Sequence, residues 1–171
     1  MQNPTSFYKE NIDKHQSSLE QVKKRLLVSS MLRLIIFLAA CTAVYFTWSN
    51  SQIVIAIIIV TIALFVFLVS KHSDLQYKRD YLQKLISINE TEIRVQNRDF
   101  YDLPSGEKFK NPLHFYSQDI DLFGRGSFFQ YLNRTSLESG AEKLARQFTE
   151  NSIDNIPQKQ EAIKELDEKA S

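Results

Sequence analysis

One apolar stretch dominates the chain. From Leu34 to Val69 the sequence reads LIIFLAACTAVYFTW, then Ser49-Asn50-Ser51-Gln52, then IVIAIIIVTIALFVFLV, with no charged residue, glycine or proline anywhere in it. Each half is 15 to 18 residues long depending on where its ends are set, about 32–48 and 53–69. At 1.5 Å per residue a helix of that length covers roughly 25 Å, close to a bilayer hydrocarbon core of ~30 Å. The polar break at 49–52 is long enough to turn one helix back on the other. The pattern predicts a transmembrane helical hairpin. Ile and Val favour strands in water. In lipid, two isolated spans satisfy their backbone polar groups only as helices. The alternative, a buried helix pair in a soluble protein, fails because the rest of the chain is too short to cover both helices on all sides.

On either side of the stretch the period stays helical but becomes amphipathic. Tyr8, Ile12, His15, Leu19, Val22 and Leu26 recur at 4/3 spacing among charges, which predicts a cytoplasmic helix within residues 1–30, starting at Asn3-Pro4-Thr5. Leu75, Leu82, Leu85, Ile86 and Ile93 mark a juxtamembrane helix over 71–98 that continues out of the second span. The two are expected to pack side by side below the bilayer, near Leu19 and Leu82. His15 reads as a boundary residue of the stripe, with no second histidine near it to make a ligand pair.

The charges set an orientation. Lys23, Lys24, Arg25 and Arg33 precede the first span; Lys71, Lys78, Arg79 and Lys84 follow the second; the turn has neither Lys nor Arg. The positive-inside rule then places both termini in the cytoplasm. Tyr45, Phe46 and Trp48 fall at the outer end of the first span, where an aromatic belt belongs. The predicted location is the inner, cytoplasmic membrane, multi-pass, with the lipid bilayer as the first partner. The basic run 23–25 would face anionic inner-leaflet lipid.

Past residue 98 the pattern becomes irregular. Residues 99–124 read as a linker with turns at Pro104-Ser105-Gly106 and Asn111-Pro112, followed by an aromatic His114-Phe115-Tyr116. Residues 125–171 read as three short helices. Ser127-x-x-Gln130 is a capping box opening Phe128 to Arg134. Thr135-x-x-Glu138 is a second, opening Leu137 to about Asn151. Pro157 suits the first turn of a third helix, through Lys169. Phe128, Phe129 and Phe148 are expected to be left exposed, because a piece of this size encloses little core by itself. The fold class predicted is all-α: the hairpin, its cytoplasmic extensions, and these short helices.

Candidate chemistry is sparse. Four glycines and no G-x-x-x-x-G-K-[ST] exclude a Walker-type phosphate loop, and one cysteine excludes an internal disulfide. Gly124-Arg125-Gly126-Ser127 resembles an anion-cradling loop without the strand that should precede it. Asp119 and Asp121 read as capping or solvated carboxylates rather than a metal pair, and His114 as structural rather than a base. Asn89-Glu90-Thr91 and Asn133-Arg134-Thr135 match glycosylation sequons but fall on the cytoplasmic side of this topology. Leu38-Ala39-Ala40-Cys41 matches a lipoprotein cleavage box, yet the apolar run continues past Cys41 and a long ordered segment precedes it. With no nucleophile–base pair or metal cluster, the chain itself is expected to be non-catalytic, with no catalytic, cofactor-binding or metal residues. Arg125, Arg134 and Arg146 are too scattered for a nucleic-acid surface.

The run from Pro112 to Gly124 (PLHFYSQDIDLFG), then Gly126 to Thr135 (GSFFQYLNRT), resembles the start of the core (lever) domain of MutS-family proteins. There a "DLDLFG-x-GSLFQ-LNRT" run leads into a "T-x-x-G-x-x-x-LA" helix. The matching positions are Asp119, Asp121, Leu122, Phe123, Gly124, Gly126, Ser127, Phe128, Gln130, Leu132, Asn133, Arg134 and Thr135, then Gly140, Leu144 and Ala145. A further family pattern, "RQ-x-A-[IV]-x-EL", is met at Gln160, Ala162, Glu165 and Leu166, with Lys159 for Arg. The resemblance covers about a third of the chain, and a hairpin ahead of such a core resembles the membrane-anchored bacterial branch of the family. It implies a parent DNA-repair-type ATPase with a C-terminal ABC-type domain, Walker A and B motifs, ATP and Mg as cofactors, and DNA as a partner through that parent. This chain lacks those motifs and the mismatch-reading N-terminal domain with its Phe-x-Glu wedge, the membrane hairpin standing where that domain would be. The resemblance implies that the matching residues are structural and that the chain is the non-catalytic anchor and first part of the core, its partners being a C-terminal portion or a second copy. A complete two-span scaffold binding a cytoplasmic partner is the other reading.

Overall fold

The computed structural model describes residues 4–150, 152 and 154–169, with the side chains of 167–169 left out. Asn3, Asn151 and Ser171 lie outside the described residues. The chain divides after Arg98 into two compact units.

The first unit is a hairpin of two long helices, α1 (Pro4–Phe46, 43 residues) and α2 (Ser51–Gln96, 46 residues). The amphipathic segment and the first apolar span are therefore one unbroken helix, as are the second span and the juxtamembrane helix. The reason is compositional: no glycine or proline occurs between Thr5 and Leu103, so nothing interrupts either i→i−4 ladder. The reversal is tighter than the predicted break at 49–52. The Asn50 backbone N–H donates to the Thr47 carbonyl (2.9 Å), and its side-chain oxygen caps α2 by accepting from the Gln52 N–H (3.2 Å). Ser51 and Gln52 thus belong to the helix, Asn50 being a favoured N-cap residue.

Leu19, Val22 and Leu82 are buried together between the helices, with Leu26, Leu75 and Ile86 packed around them. The expected pairing near Leu19 and Leu82 is present. At the open end, Thr5 Oγ1 donates to Gln96 Oε1 at 2.7 Å. α2 is capped at its C-terminus by Asn97, whose N–H donates to the Ile93 carbonyl (3.2 Å), and Arg98 follows in the left-handed region (φ 62°).

The second unit contains a 3₁₀ turn (Glu107–Phe109), α3 (Phe128–Leu132), α4 (Glu138–Thr149) and α5 (Ile156–Lys169). The irregular segment does more than connect. Leu122 and Phe123 are buried with Phe129 and Ala145, and Phe109 and Tyr116 pack on them. The rings of Phe109, Phe123 and Phe129 form a mutual triad with centroids 5.4–5.8 Å apart, a spacing that suits aromatic pairs. Phe129 is only 1% exposed, against the expectation that it lacks cover; the segment read as a linker supplies the missing wall. Phe128 does stay half-exposed, its ring 5.4 Å from that of Phe148.

Two helix boundaries also differ from expectation. α3 stops at Leu132 rather than Arg134, because Asn133 turns out of the helix while donating its N–H to the Phe129 carbonyl (2.8 Å). The second capping box does not form. α4 starts at Glu138 with Leu137 as N-cap and no side-chain cap. Thr135 instead donates its hydroxyl (2.6 Å) and its N–H (3.1 Å) to Asn133 Oδ1, a local Asx turn that competes with capping. Glu138 pairs with Lys108, and that hydrogen bond, reinforced by the lysine charge, holds its carboxyl below the usual range.

Candidate functional site: an apolar hairpin and an aromatic module

Both helices of the hairpin are long and apolar enough to cross a membrane, and the most apolar 18-residue window of each has none of its residues buried. Ile35, Phe37, Leu38, Ile59, Val60, Phe65 and Phe67 all face outward. An exposed apolar surface of this extent far exceeds the few hundred Å² that a soluble monomer presents. Each threonine within Leu34–Val69 is satisfied on its own helix: Thr42 donates to the Ala39 carbonyl (2.8 Å), Thr47 to Ala43 (2.7 Å) and Thr61 to Ile57 (2.7 Å). These three hydroxyls need no water, which is what a hydrocarbon surround demands. Cys41 is a free thiol inside α1 and lines a shallow apolar groove with Phe37, Val44 and Ile57.

Below the apolar length the seam changes chemistry. Ser29 and Arg33 continue the helical spacing of Leu19, Val22 and Leu26, and His72 continues that of Leu75 and Leu82. Ser29 Oγ, Arg33 Nε and His72 Nδ1 are buried with no hydrogen-bond partner. Removal from solvent, then the charges of Arg33 and Arg79, push the His72 pKa below its ordinary 6.5. The one sequence signal for this polar layer is the seam spacing itself, which runs on from the leucines into Ser29, Arg33 and His72.

In the second unit Gln130 is the hub. It is 1% exposed. Its side-chain amide donates to the carbonyls of Tyr101 (3.2 Å) and Leu103, and its Oε1 accepts from the Gly126 N–H at 2.7 Å. Its own N–H donates to Ser127 Oγ (3.2 Å). The first capping box therefore closes onto Gly126 rather than onto Ser127, whose N–H already donates to the Gly124 carbonyl (3.2 Å). Gly124 N–H donates to the Ser105 carbonyl at 2.8 Å. Three amides of the Gly124–Ser127 loop are thus spent internally, so the loop is not an anion cradle. Arg125 lies over the Tyr101 ring instead, 5.6 Å from its centroid.

The candidate residues sort clearly. The structure gathers Leu122, Phe123, Gly124, Ser127, Gln130 and Asn133 in the buried interior, with Leu144 against it. Asp119, Asp121, Gly126, Phe128, Leu132, Arg134 and Thr135 lie at its exposed margin, and half-buried Gly140 approaches Thr135. Asp121 is in the left-handed region (φ 48°), and its carbonyl accepts from the Phe128 N–H (3.2 Å). Gln160, Ala162, Glu165 and Leu166 sit on exposed turns of α5, away from this interior. His114 uses both nitrogens structurally: Nδ1 accepts from the Ser117 N–H (3.3 Å), which leaves Nε2 to donate to the Thr149 carbonyl (3.1 Å). Tyr116 OH donates to the Phe148 carbonyl (2.8 Å), so the same loop holds the end of α4 twice. Among the described residues no group of three or more His, Cys, Asp or Glu side chains is placed to hold a metal. No family model, curated protein or solved structure matches the chain.

Proposed function

We propose that the hairpin is a two-span anchor in the inner membrane, with both helix ends on the cytoplasmic side, and that it tethers the module beginning at Asp99 to that surface. The observation that carries this reading is the apolar length of both helices, with no buried residue in the most apolar window of either and with every threonine hydroxyl satisfied internally. The basic flanks and the uncharged turn supply the orientation.

In this proposal the tethered module is the first part of a MutS-like core, and the tether serves a DNA-repair-type parent ATPase. ATP, Mg and DNA would then be bound by parts of the parent other than this chain. The support for this part of the reading is the sequence run itself, from Asp119 to Ala145, of which Leu122, Phe123, Gly124, Ser127, Gln130 and Asn133 are buried as structural motif positions would be. The second reading is a small scaffold whose module recruits a cytoplasmic partner. It is favoured by the closure of the aromatic interior around Phe129, which leaves that ring needing no further cover.

The size of the natural protein separates the two. An antibody raised to residues 99–149 should detect a product several hundred residues longer than this chain, from a reading frame that encodes G-x-x-x-x-G-K-[ST] downstream. A natural product near 19.9 kDa would contradict the ATPase reading and leave the scaffold.

A further inference from the structure

Between α1 and α2, just below the apolar length, lies an open groove of about 540 Å³. Its lining divides by chemistry. Lys23, His72 and Arg79 carry or can carry positive charge; Gln76, Gln83 and Ser30 offer neutral donors; Leu26 and Leu27 form an apolar wall. No carboxylate is among the lining residues. Arg79 does grip its neighbour Asp80 through Nε (2.8 Å) and one terminal nitrogen (2.7 Å). Its other terminal nitrogen is not used in that pair.

The upper rim of the groove lies at the depth of a lipid headgroup. Ser30 is four residues before Leu34, and His72 three after Val69. At 1.5 Å per residue both fall about 5–6 Å below the hydrocarbon edge, within a headgroup layer of roughly 5–8 Å per leaflet. α2 descends from the membrane, and helical side chains lean toward their own N-terminus, so Arg79 leans up toward the lipid. Lys23 and Arg79 mark the deep end, eleven and ten residues beyond the apolar length and roughly 15–17 Å below the hydrocarbon edge, and they meet the headgroup by extending their long side chains toward it. At the upper rim of the groove, Ser29 Oγ, Arg33 Nε and His72 Nδ1 form a polar layer with no hydrogen-bond partner in the protein.

We propose that this groove binds the phosphate-bearing headgroup of an anionic phospholipid, with the glycerol and acyl chains rising along Leu27 and the outer face of the spans. A free phosphate would use the cations but not the leucine wall; a zwitterionic lipid would bring its own cation into a basic groove. The inference rests on the membrane reading above and adds to it a specific lipid site.

The test uses the full chain in nanodiscs of phosphatidylcholine containing one part in five phosphatidylglycerol, with native mass spectrometry to count retained lipids. The wild-type chain should keep phosphatidylglycerol in preference to phosphatidylcholine. Lys23→Gln/Arg79→Gln should weaken that preference at least about tenfold, given roughly 1 kcal/mol per cation near an anionic surface and 1.4 kcal/mol per factor of ten. Lys24→Gln/Lys78→Gln removes two charges one residue from Lys23 and Arg79, at the same level but outside the groove, and should cost clearly less. Equal losses in the two variants would mean general surface attraction and would overturn the site, as would equal retention of both lipids by the wild type. Unchanged helical circular dichroism in each variant excludes misfolding as the cause. Failure of the wild-type chain to enter the disc at all is a separate signature; it would remove the membrane reading and this inference with it.

Discussion

The side-chain amide of Gln130 donates to the backbone carbonyl of Leu103, so a residue on α3 holds in place a loop 27 positions earlier in the chain. The same side chain also satisfies Tyr101 and Gly126. Replacing it removes three hydrogen bonds, to the Gly126 N–H and to the Tyr101 and Leu103 carbonyls, at about 0.5–1.5 kcal/mol each. Gln130→Ala is expected to raise amide exchange throughout 101–130 while leaving the hairpin amides protected. Unchanged exchange at Gly126 would show that the clamp contributes nothing.

Gly106 and Gly126 both need positive φ (69° and 79°), but their surroundings differ. A Cβ on Gly106 would fall 2.5 Å from the Phe129 ring, whereas one on Gly126 would meet only Tyr101 at 3.4 Å. Gly126→Ala should cost about 1–2 kcal/mol for the left-handed backbone alone. Gly106→Ala adds overpacking of about 1–3 kcal/mol. Thermal melts of the aromatic near-ultraviolet signal should rank Gly106→Ala as clearly the worse; the reverse order would misplace the Phe129 ring.

Arg98 occupies the position after the α2 cap where glycine is the usual residue, at φ 62°. Arg98→Gly removes a backbone cost of about 1–2 kcal/mol, partly offset by the greater freedom of glycine in the unfolded chain. A small gain in stability is expected at the end of α2, read as slower amide exchange at Asn97 and Arg98. A loss would mean that the arginine side chain holds this junction.

The His72 pKa lies below 6.5, so the folded hairpin favours the neutral ring. The unfolded chain therefore binds more protons below pH 6.5, and stability falls as pH drops through that window. His72→Gln should flatten this dependence between pH 7 and 5 in detergent unfolding titrations. An unchanged slope would assign it to other groups.

Much of the first unit was legible because its signals are long and uninterrupted. The apolar run Leu34–Val69 and the stripes at Leu19–Leu26 and Leu75–Ile86 give both helices and their pairing. What the stripes did not reveal was continuity across residue 30; the absence of Gly and Pro was the clue. The second unit was harder. Its interior comes from residues with no period, Phe109, Tyr116, Leu122 and Phe123, so only the rings on α3 and α4 stood out. The capping box at Thr135 misled because Asn133, two residues earlier, takes the threonine hydroxyl first. Gln130 was visible as a cap partner, but its reach to Tyr101 and Leu103 depends on a tertiary fold that no local pattern encodes.

Everything proposed here depends on the hairpin crossing a bilayer with both ends on one side. The most direct measurement places single cysteines in a Cys41→Ser background, by Ser17→Cys, Ser51→Cys or Ser105→Cys, and labels sealed right-side-out vesicles with a membrane-impermeant maleimide. Ser51→Cys should react in intact vesicles, and the other two only after detergent. Labelling of all three in intact vesicles, or of Ser17→Cys without Ser51→Cys, would contradict the topology, and recovery of the protein in the alkaline-carbonate supernatant would contradict the anchor itself.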